Sequence, residues 1–253
     1  MIAIEEMEIE YIYVPPSEPN APTVLFLHEG LGSLALWRDT PRRLLDGLPF
    51  GSLIYSRHGN GFSSSLTRRR TVTYMHEEAA LVLPALLGRL GIERTLLIGH
   101  SDGASIALLF AANYERHCVG LVVEAPHLFV EPVSLSAIAA IRDRYGRDGE
   151  FRSAMARHHR DVDTTFFGWN DIWLDNDFAS WNIEAHVARI AVPMLAIQGA
   201  DDEYGSFAQI ERLAELTQGN VDRVYLARCG HTPHRERSDF VLPLIRSWLQ
   251  SHY

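Results

Sequence analysis

Cysteine is nearly absent. Two residues among 253, Cys118 and Cys229, make no disulfide framework, and a chain of this length needs none. Long hydrophobic runs are missing as well, and no apolar segment approaches the length needed to span a bilayer. The start, MIAIEEMEIEYIYV, alternates acidic with apolar residues, without the basic opening and long apolar core of a signal peptide. Positive charge is in short supply. The formal net charge of -9 at pH 7 argues against a nucleic-acid partner, which needs clustered Lys and Arg to meet its phosphates. The one basic run, Arg68, Arg69 and Arg70, reads as a solvated loop. These absences leave a soluble, cytoplasmic protein with neither membrane nor nucleic acid as partner.

What is present is ordinary globular material, 47% apolar and 22% charged, enough for one domain of moderate size with an insertion. Short β-rich runs alternate with longer amphipathic ones. Strand patterns fall at Glu8–Val14, Thr23–Leu27, Leu53–Tyr55, Leu96–Ile98, Val119–Val123, Val192–Ile197 and Val221–Leu226. Helical spacing covers Leu34–Leu45, Thr73–Leu90, Ala104–Tyr114, Phe207–Leu216 and Phe240–Leu249. Pro84 should kink the second of these helices or mark its packing. Such alternation predicts an α/β protein with a doubly wound, mostly parallel sheet. Between Pro126 and Ile190 the rhythm fails, and that segment reads as an insertion over one end of the sheet. There is no internal repeat and no low-complexity segment.

The stretch LLIGHSDGASIALLF, Leu96–Phe110, carries the chemistry. An apolar strand stops at Gly99, a helix pattern starts near Ala104, and Ser101 occupies the corner in a G-x-S-x-G pattern. Glycines on both sides give a tight turn room beside a nucleophile, and a helix N-terminus behind the serine favours developing negative charge. The same pentapeptide also suits a serine that merely caps a helix. A serine hydroxyl needs a base, and the base needs an orienting partner. Both follow beyond later strands: Asp201 and Asp202 after Val192–Ile197, then His231 after Val221–Leu226. A metal reading of His231 and His234 lacks carboxylate or cysteine support.

With FLHEGLGS, YSRHGNGFS, GHSDGA, IQGADDEYG and CGHTPH in this order at these strand ends, the chain resembles the α/β-hydrolases over nearly its whole length. The resemblance implies a Ser-Asp-His triad of Ser101, Asp202 and His231, with Asp202 preferred to Asp201 as the acid. It implies an oxyanion hole formed by the amides of Asp102 and Gly30, with Glu29 and Leu31 as neighbouring alternatives for the second donor. Each such donor is worth roughly 3–4 kcal/mol. Glu29 stands where the family often has glycine, so its carboxylate either makes a local hydrogen bond or meets a polar substrate group. His100 is a packing residue on this reading, and His234 a surface or supporting one.

By the same likeness, residues 1–125 and 191–253 form the core domain and 126–190 a helical lid. The lid aromatics Phe166, Phe167, Trp169, Trp173, Phe178 and Trp181 chiefly build its own core, with one or two facing the substrate. Arg157, His158, His159 and Arg160 read as a solvated helix face, with contact to a substrate carboxylate as the alternative. The implied activity is hydrolysis of a small carboxylic ester or thioester, with an apolar or aromatic acyl part, without metal or cofactor. Hydrolysis of a carbon–carbon bond in a vinylogous diketone is the alternative within the family. A binding protein on the same fold, with dead chemistry, is the alternative of another class.

Overall fold

The TVLFL run at Thr23–Leu27 needs cover on both faces, and each of its residues is buried. The computed structural model describes residues 1–253. Its strands are β1 (Ile2–Ile4), β2 (Met7–Ile9), β3 (Tyr11–Val14), β4 (Thr23–Leu27), β5 (Gly51–Tyr55), β6 (Thr95–His100), β7 (Cys118–Glu124), β8 (Met194–Gly199) and β9 (Val221–Leu226). β1 and β2 form a separate hairpin, and the other strands form a seven-stranded sheet ordered β3-β5-β4-β6-β7-β8-β9. Within that sheet only β3 runs antiparallel to its neighbour; its remaining pairs are parallel.

The parallel strands demand helical crossovers, and these cover both faces. One face carries an apolar cluster of 38 buried residues that takes in helix Asp102–Asn113 and the rings of Trp169, Trp173, Phe178 and Trp181. Those rings therefore serve the main core as well as their own segment. The other face carries 17 buried residues beneath helices Thr40–Leu45 and Ser238–His252. No helix is long and apolar enough to cross a membrane.

Three segments differ from their sequence patterns for local reasons. The alternation at Glu8–Val14 is split between β2 and β3 at Glu10, whose carboxylate accepts from Ser56 Oγ at 2.6 Å and Phe62 N at 3.0 Å. The Leu34–Leu45 pattern breaks at Arg38, where φ is 51°, between a 3₁₀ turn and the helix Thr40–Leu45. The helix starting at Tyr74 passes through a π turn, Glu78–Val82, before Leu83–Leu90. Pro84 has no N–H for the carbonyl of Ala80, and the hydroxyl of Tyr114 donates to that carbonyl instead at 2.9 Å.

The segment that breaks the strand–helix rhythm is itself helical: Pro132–Arg147, Gly149–Ala156, Val162–Trp173 and Glu184–Val187. Its breaks are set by caps. Asp148 accepts from the amides of Glu150 and Phe151, and Asp161 from that of Thr164, which satisfies donors that a helix start leaves free.

Candidate active site

β6 ends at His100 and the next helix starts at Asp102, so Ser101 alone turns the chain, at φ 54° and ψ -121°. Such a conformation costs a non-glycine residue on the order of 1–3 kcal/mol. The surroundings hold it there. Ser101 N donates to the carbonyl of Glu124 at 2.9 Å, while Ala104 N and Ser105 N donate to the Ser101 carbonyl at 2.8 and 3.1 Å. The flanking glycines are steric necessities: a Cβ on Gly99 would strike the backbone of Gly103 and Ala104, and one on Gly103 the carbonyls of Leu27 and His28.

The loops after β8 and β9 meet beside this corner. A Cβ on Gly199 would collide with the carbonyls of Cys229 and Gly230, so this glycine lets the two loops cross. His231 Nδ1 then lies 2.9 Å from both carboxylate oxygens of Asp202. Asp202 also accepts from Tyr204 N at 2.8 Å and Gln198 Nε2 at 2.7 Å. Burial alone would raise the Asp202 pKa, but the hydrogen bond and charge of His231 outweigh it and hold the carboxyl below its usual range. An ionised carboxylate only accepts, so Nδ1 of His231 carries a proton and, in the neutral ring, Nε2 is the free base. Asp201 is exposed and its side chain makes no such contact. Glu236 fixes the histidine loop, accepting from Gly230 N at 2.6 Å and Thr232 N at 2.9 Å. Sequence reading missed Gln198 and Glu236.

The loop His28–Gly32 is braced from below. Arg57 is 1% exposed, and its two terminal nitrogens donate to the carbonyls of His28 and Glu29, the second at 2.8 Å. Asn60 Nδ2 donates to the carbonyls of Gly30 and Gly32, each at 3.0 Å. The chain contains no lysine, and a planar guanidinium is suited to reaching two carbonyls at once. Across a trans peptide the N–H points opposite to the C=O. Anchoring the Glu29 carbonyl on Arg57 therefore turns the Gly30 amide upward, and anchoring the Gly30 carbonyl on Asn60 does the same for Leu31. Neither amide has a protein acceptor, nor does that of Asp102. His28 is buried; Arg57 N donates to its Nε2 at 3.1 Å, so its Nδ1 donates to the Glu29 carbonyl at 2.7 Å.

A second polar layer lies under the catalytic candidates. His100 Nε2 donates to the carbonyl of His231 at 2.7 Å, and its Nδ1 is 3.6 Å from a Glu29 oxygen. Burial would lower the His100 pKa, but Glu29 raises it above the ordinary value. His100 is thus a tether between the serine corner and the histidine loop as well as a packed ring. Glu29 makes the local ion contact, with a side chain 28% exposed. His234 is buried too, its Nδ1 2.6 Å from Glu124 at the end of β7. No group of three or more His, Cys, Asp or Glu side chains is placed to hold a metal ion.

The helices inserted after β7 reach this layer directly. Trp173 Nε1 donates to Asp102 Oδ1 at 3.2 Å, and the Tyr74 hydroxyl to Asp102 Oδ2 at 2.6 Å. Thr165 Oγ1 donates to the Gly59 carbonyl at 2.6 Å, and His159 Nδ1 accepts from Gly61 N at 3.0 Å. Of the run Arg157–Arg160, then, His159 faces inward as a docking residue and Arg157 and Arg160 are exposed. The basic run is likewise divided. Arg68 and Arg69 are exposed, whereas Arg70 donates to Asn60 Oδ1 at 3.0 Å and lies 4.9 Å over the Tyr74 ring. A cleft of about 400 Å³ between this run and Thr164, Phe167 and Asp171 contains no nucleophile–base pair. His127, unnoticed in the sequence, is buried 6.1 Å from the His231 ring and 5.0 Å from that of Trp173. Burial pushes its pKa down to about 4.

Comparison with known proteins places this architecture. Residues 24–244 match the model of the alpha/beta hydrolase family. A probable proline iminopeptidase of Leptolyngbya boryana is 23% identical, over 98% of this chain and 81% of its own. Among solved structures, VinJ has a TM-score of 0.77 at 22% identity, covering 100% of this chain and 98% of that one. A thermophilic esterase from Thermogutta terrifontis has a TM-score of 0.72 at 20% identity, covering 98% and 95%. With the family match spanning most of its length, the chain belongs to the alpha/beta hydrolase family.

Proposed function

We propose that this protein is a serine hydrolase that cleaves a small carboxylic ester or thioester through an acyl-enzyme. The observation that carries the reading is the pairing of Asp202 with His231, whose carbonyl is held by His100, the residue before a serine at a left-handed corner. His231 Nε2 takes the proton of Ser101 Oγ as that oxygen attacks the acyl carbonyl. Asp202 keeps the other ring nitrogen protonated and stabilises the imidazolium. The Gly30 and Asp102 amides receive the negative charge that forms on the carbonyl oxygen. His231 then protonates the leaving alcohol or thiol, and a water activated by the same ring releases the acid. Residues 126–190 act as a lid, which the Trp173–Asp102 hydrogen bond ties to the residue after the nucleophile.

A second reading is favoured by the iminopeptidase name of a curated relative. A free aminoacyl substrate would bring an ammonium group to the site, and Glu29 offers it a partly exposed carboxylate beside the oxyanion loop. Intact-mass spectrometry after incubation with a fluorophosphonate tests what the readings share. A single adduct on the wild type, absent in Ser101→Ala, is expected; an adduct retained in that variant refutes the assignment. Turnover of p-nitrophenyl acetate against L-prolyl p-nitroanilide then separates them. Cleavage of the anilide alone replaces the first reading by the second.

A further inference from the structure

The chain has five tryptophans, and the fate of each indole N–H differs. Those of Trp37 and Trp181 are buried without a partner. That of Trp173 donates to Asp102 and Tyr74, and that of Trp248 to Asp222. Trp169 alone has an N–H that is neither bonded to protein nor sealed from solvent, although the residue as a whole is 8% exposed. Its position explains the open donor. A methyl carbon built on Gly30 would overlap Nε1, Cδ1 and Cε2 of this ring. The indole edge therefore rests on the α-carbon of Gly30, and standard bond lengths then put Nε1 within about 5 Å of the Gly30 amide nitrogen.

We infer that Trp169 is a specificity-determining residue whose indole N–H binds a hydrogen-bond acceptor on the acyl group, on the atom next to the scissile carbonyl. The inference rests on the proposed acyl-enzyme reading, in which the Gly30 amide holds the carbonyl oxygen. Two donors at that separation suit two acceptors on adjacent carbons, as in 2-oxo, 2-hydroxy or 2-alkoxy acyl groups. A plain alkyl chain would cover the indole N–H and leave it unpaired, and a site built to donate discriminates against a substrate that cannot accept. Gly30 thereby has a reason for lacking a side chain, since any Cβ would expel the ring that carries this donor.

The test uses two p-nitrophenyl esters of nearly equal shape, methoxyacetate and butyrate, in which an ether oxygen replaces one methylene. Their intrinsic reactivities differ, so the quantity read is the ratio of their kcat/KM values, compared between wild type and Trp169→Phe. Loss of the N–H is expected to reduce that ratio by about 10- to 100-fold. Trp169→His, which retains a ring donor, should recover part of it. A ratio unchanged in Trp169→Phe, or both esters slowed by the same factor, overturns the inference. Fluorophosphonate labelling of each variant keeps the two levels apart. No adduct on wild-type Ser101 defeats the acyl-enzyme reading itself, whereas full labelling with an unchanged ratio defeats only the role of Trp169.

Discussion

Arg57→Lys should impair the proposed oxyanion loop, His28–Gly32, while leaving Ser101, Asp202 and His231 in place. Arg57 donates to two carbonyls, those of His28 and Glu29, and a lysine ammonium at the end of a flexible stem cannot reproduce that fork. Losing one charge-assisted bond costs about 1.5–3 kcal/mol. Part of this appears as lower stability and part as freedom of the Glu29–Gly30 peptide. A complete loss of one oxyanion donor costs about 10²–10³ in kcat, so partial misalignment should cost about 10- to 100-fold. The assay is kcat on p-nitrophenyl acetate, with active enzyme counted by fluorophosphonate titration and stability followed by urea denaturation. Asn60→Asp is the comparator, because Asn60 orients the Leu31 amide through the Gly30 carbonyl. An unchanged kcat in Arg57→Lys alongside reduced stability would refute bracing from below. A far larger loss in Asn60→Asp would move the oxyanion donor to Leu31.

Ser101→Ala should abolish turnover, with a loss on the order of a millionfold in kcat as for other triad serines; a near-normal rate in a burst-corrected assay would remove Ser101 from the mechanism. Asp202→Asn should cost several thousandfold or more, on the order seen when a triad aspartate is replaced, while Asp201→Asn, altering an exposed side chain, should leave kcat/KM within about threefold; the reverse ranking would exchange the two. Acid should destabilise the fold. His127 and His159 are held neutral by burial down to about pH 4 against an ordinary 6.5, so the unfolded chain binds protons first and stability falls as pH drops from 6.5 towards 4, by up to about 3 kcal/mol for each ring. Asp202, with its lowered pKa, adds a loss in the same direction at still lower pH. Urea midpoints at pH 7 and pH 5 check this, and His127→Gln should flatten the slope; an undiminished slope would exclude His127 as a source.

The parts of this protein visible in its sequence are those with a short period or a steric signature. Strands β4 and β6 show as continuous apolar runs because both faces are covered, and the serine corner shows because Gly99 and Gly103 have no room for side chains. Asp202 stands out because it follows another such strand, β8, and His231 because it follows the strand pattern of β9 at the sheet edge. Less visible were breaks set by partners distant in the chain. Nothing local in Glu8–Val14 says that Ser56 and Phe62 will capture Glu10. The helices after β7 lack a clean apolar stripe because they pack onto a polar rim as well as a core, and their limits are written in single capping residues, Asp148 and Asp161.

The same reason hid the residues that position the site. Arg57, Asn60, Arg70, Tyr74 and the carboxylate of Asp102, whose amide alone was legible, are polar or charged and sit in loops or helix starts, where composition predicts solvent. In the structure they form one connected assembly. Arg70 joins Asn60 to Tyr74, Asn60 holds the loop at Gly30, and Tyr74 holds Asp102 behind Ser101. Trp173 enters at Asp102 and Trp169 rests on Gly30, so the inserted helices touch both proposed oxyanion donors. Buried polar groups are costly unless they are paired, and the links from Asn60 to Gly30 and from Tyr74 and Trp173 to Asp102 join parts of the chain at least 28 residues apart. A substitution in the inserted helices is therefore expected to act on catalysis through Asp102 or Gly30 without contacting Ser101. Trp173→Phe should lower kcat on a minimal acetate ester, where acyl-group selection has no part. If it alters only the preference among acyl groups, the inserted helices and the proposed oxyanion hole are independent and this coupling is wrong.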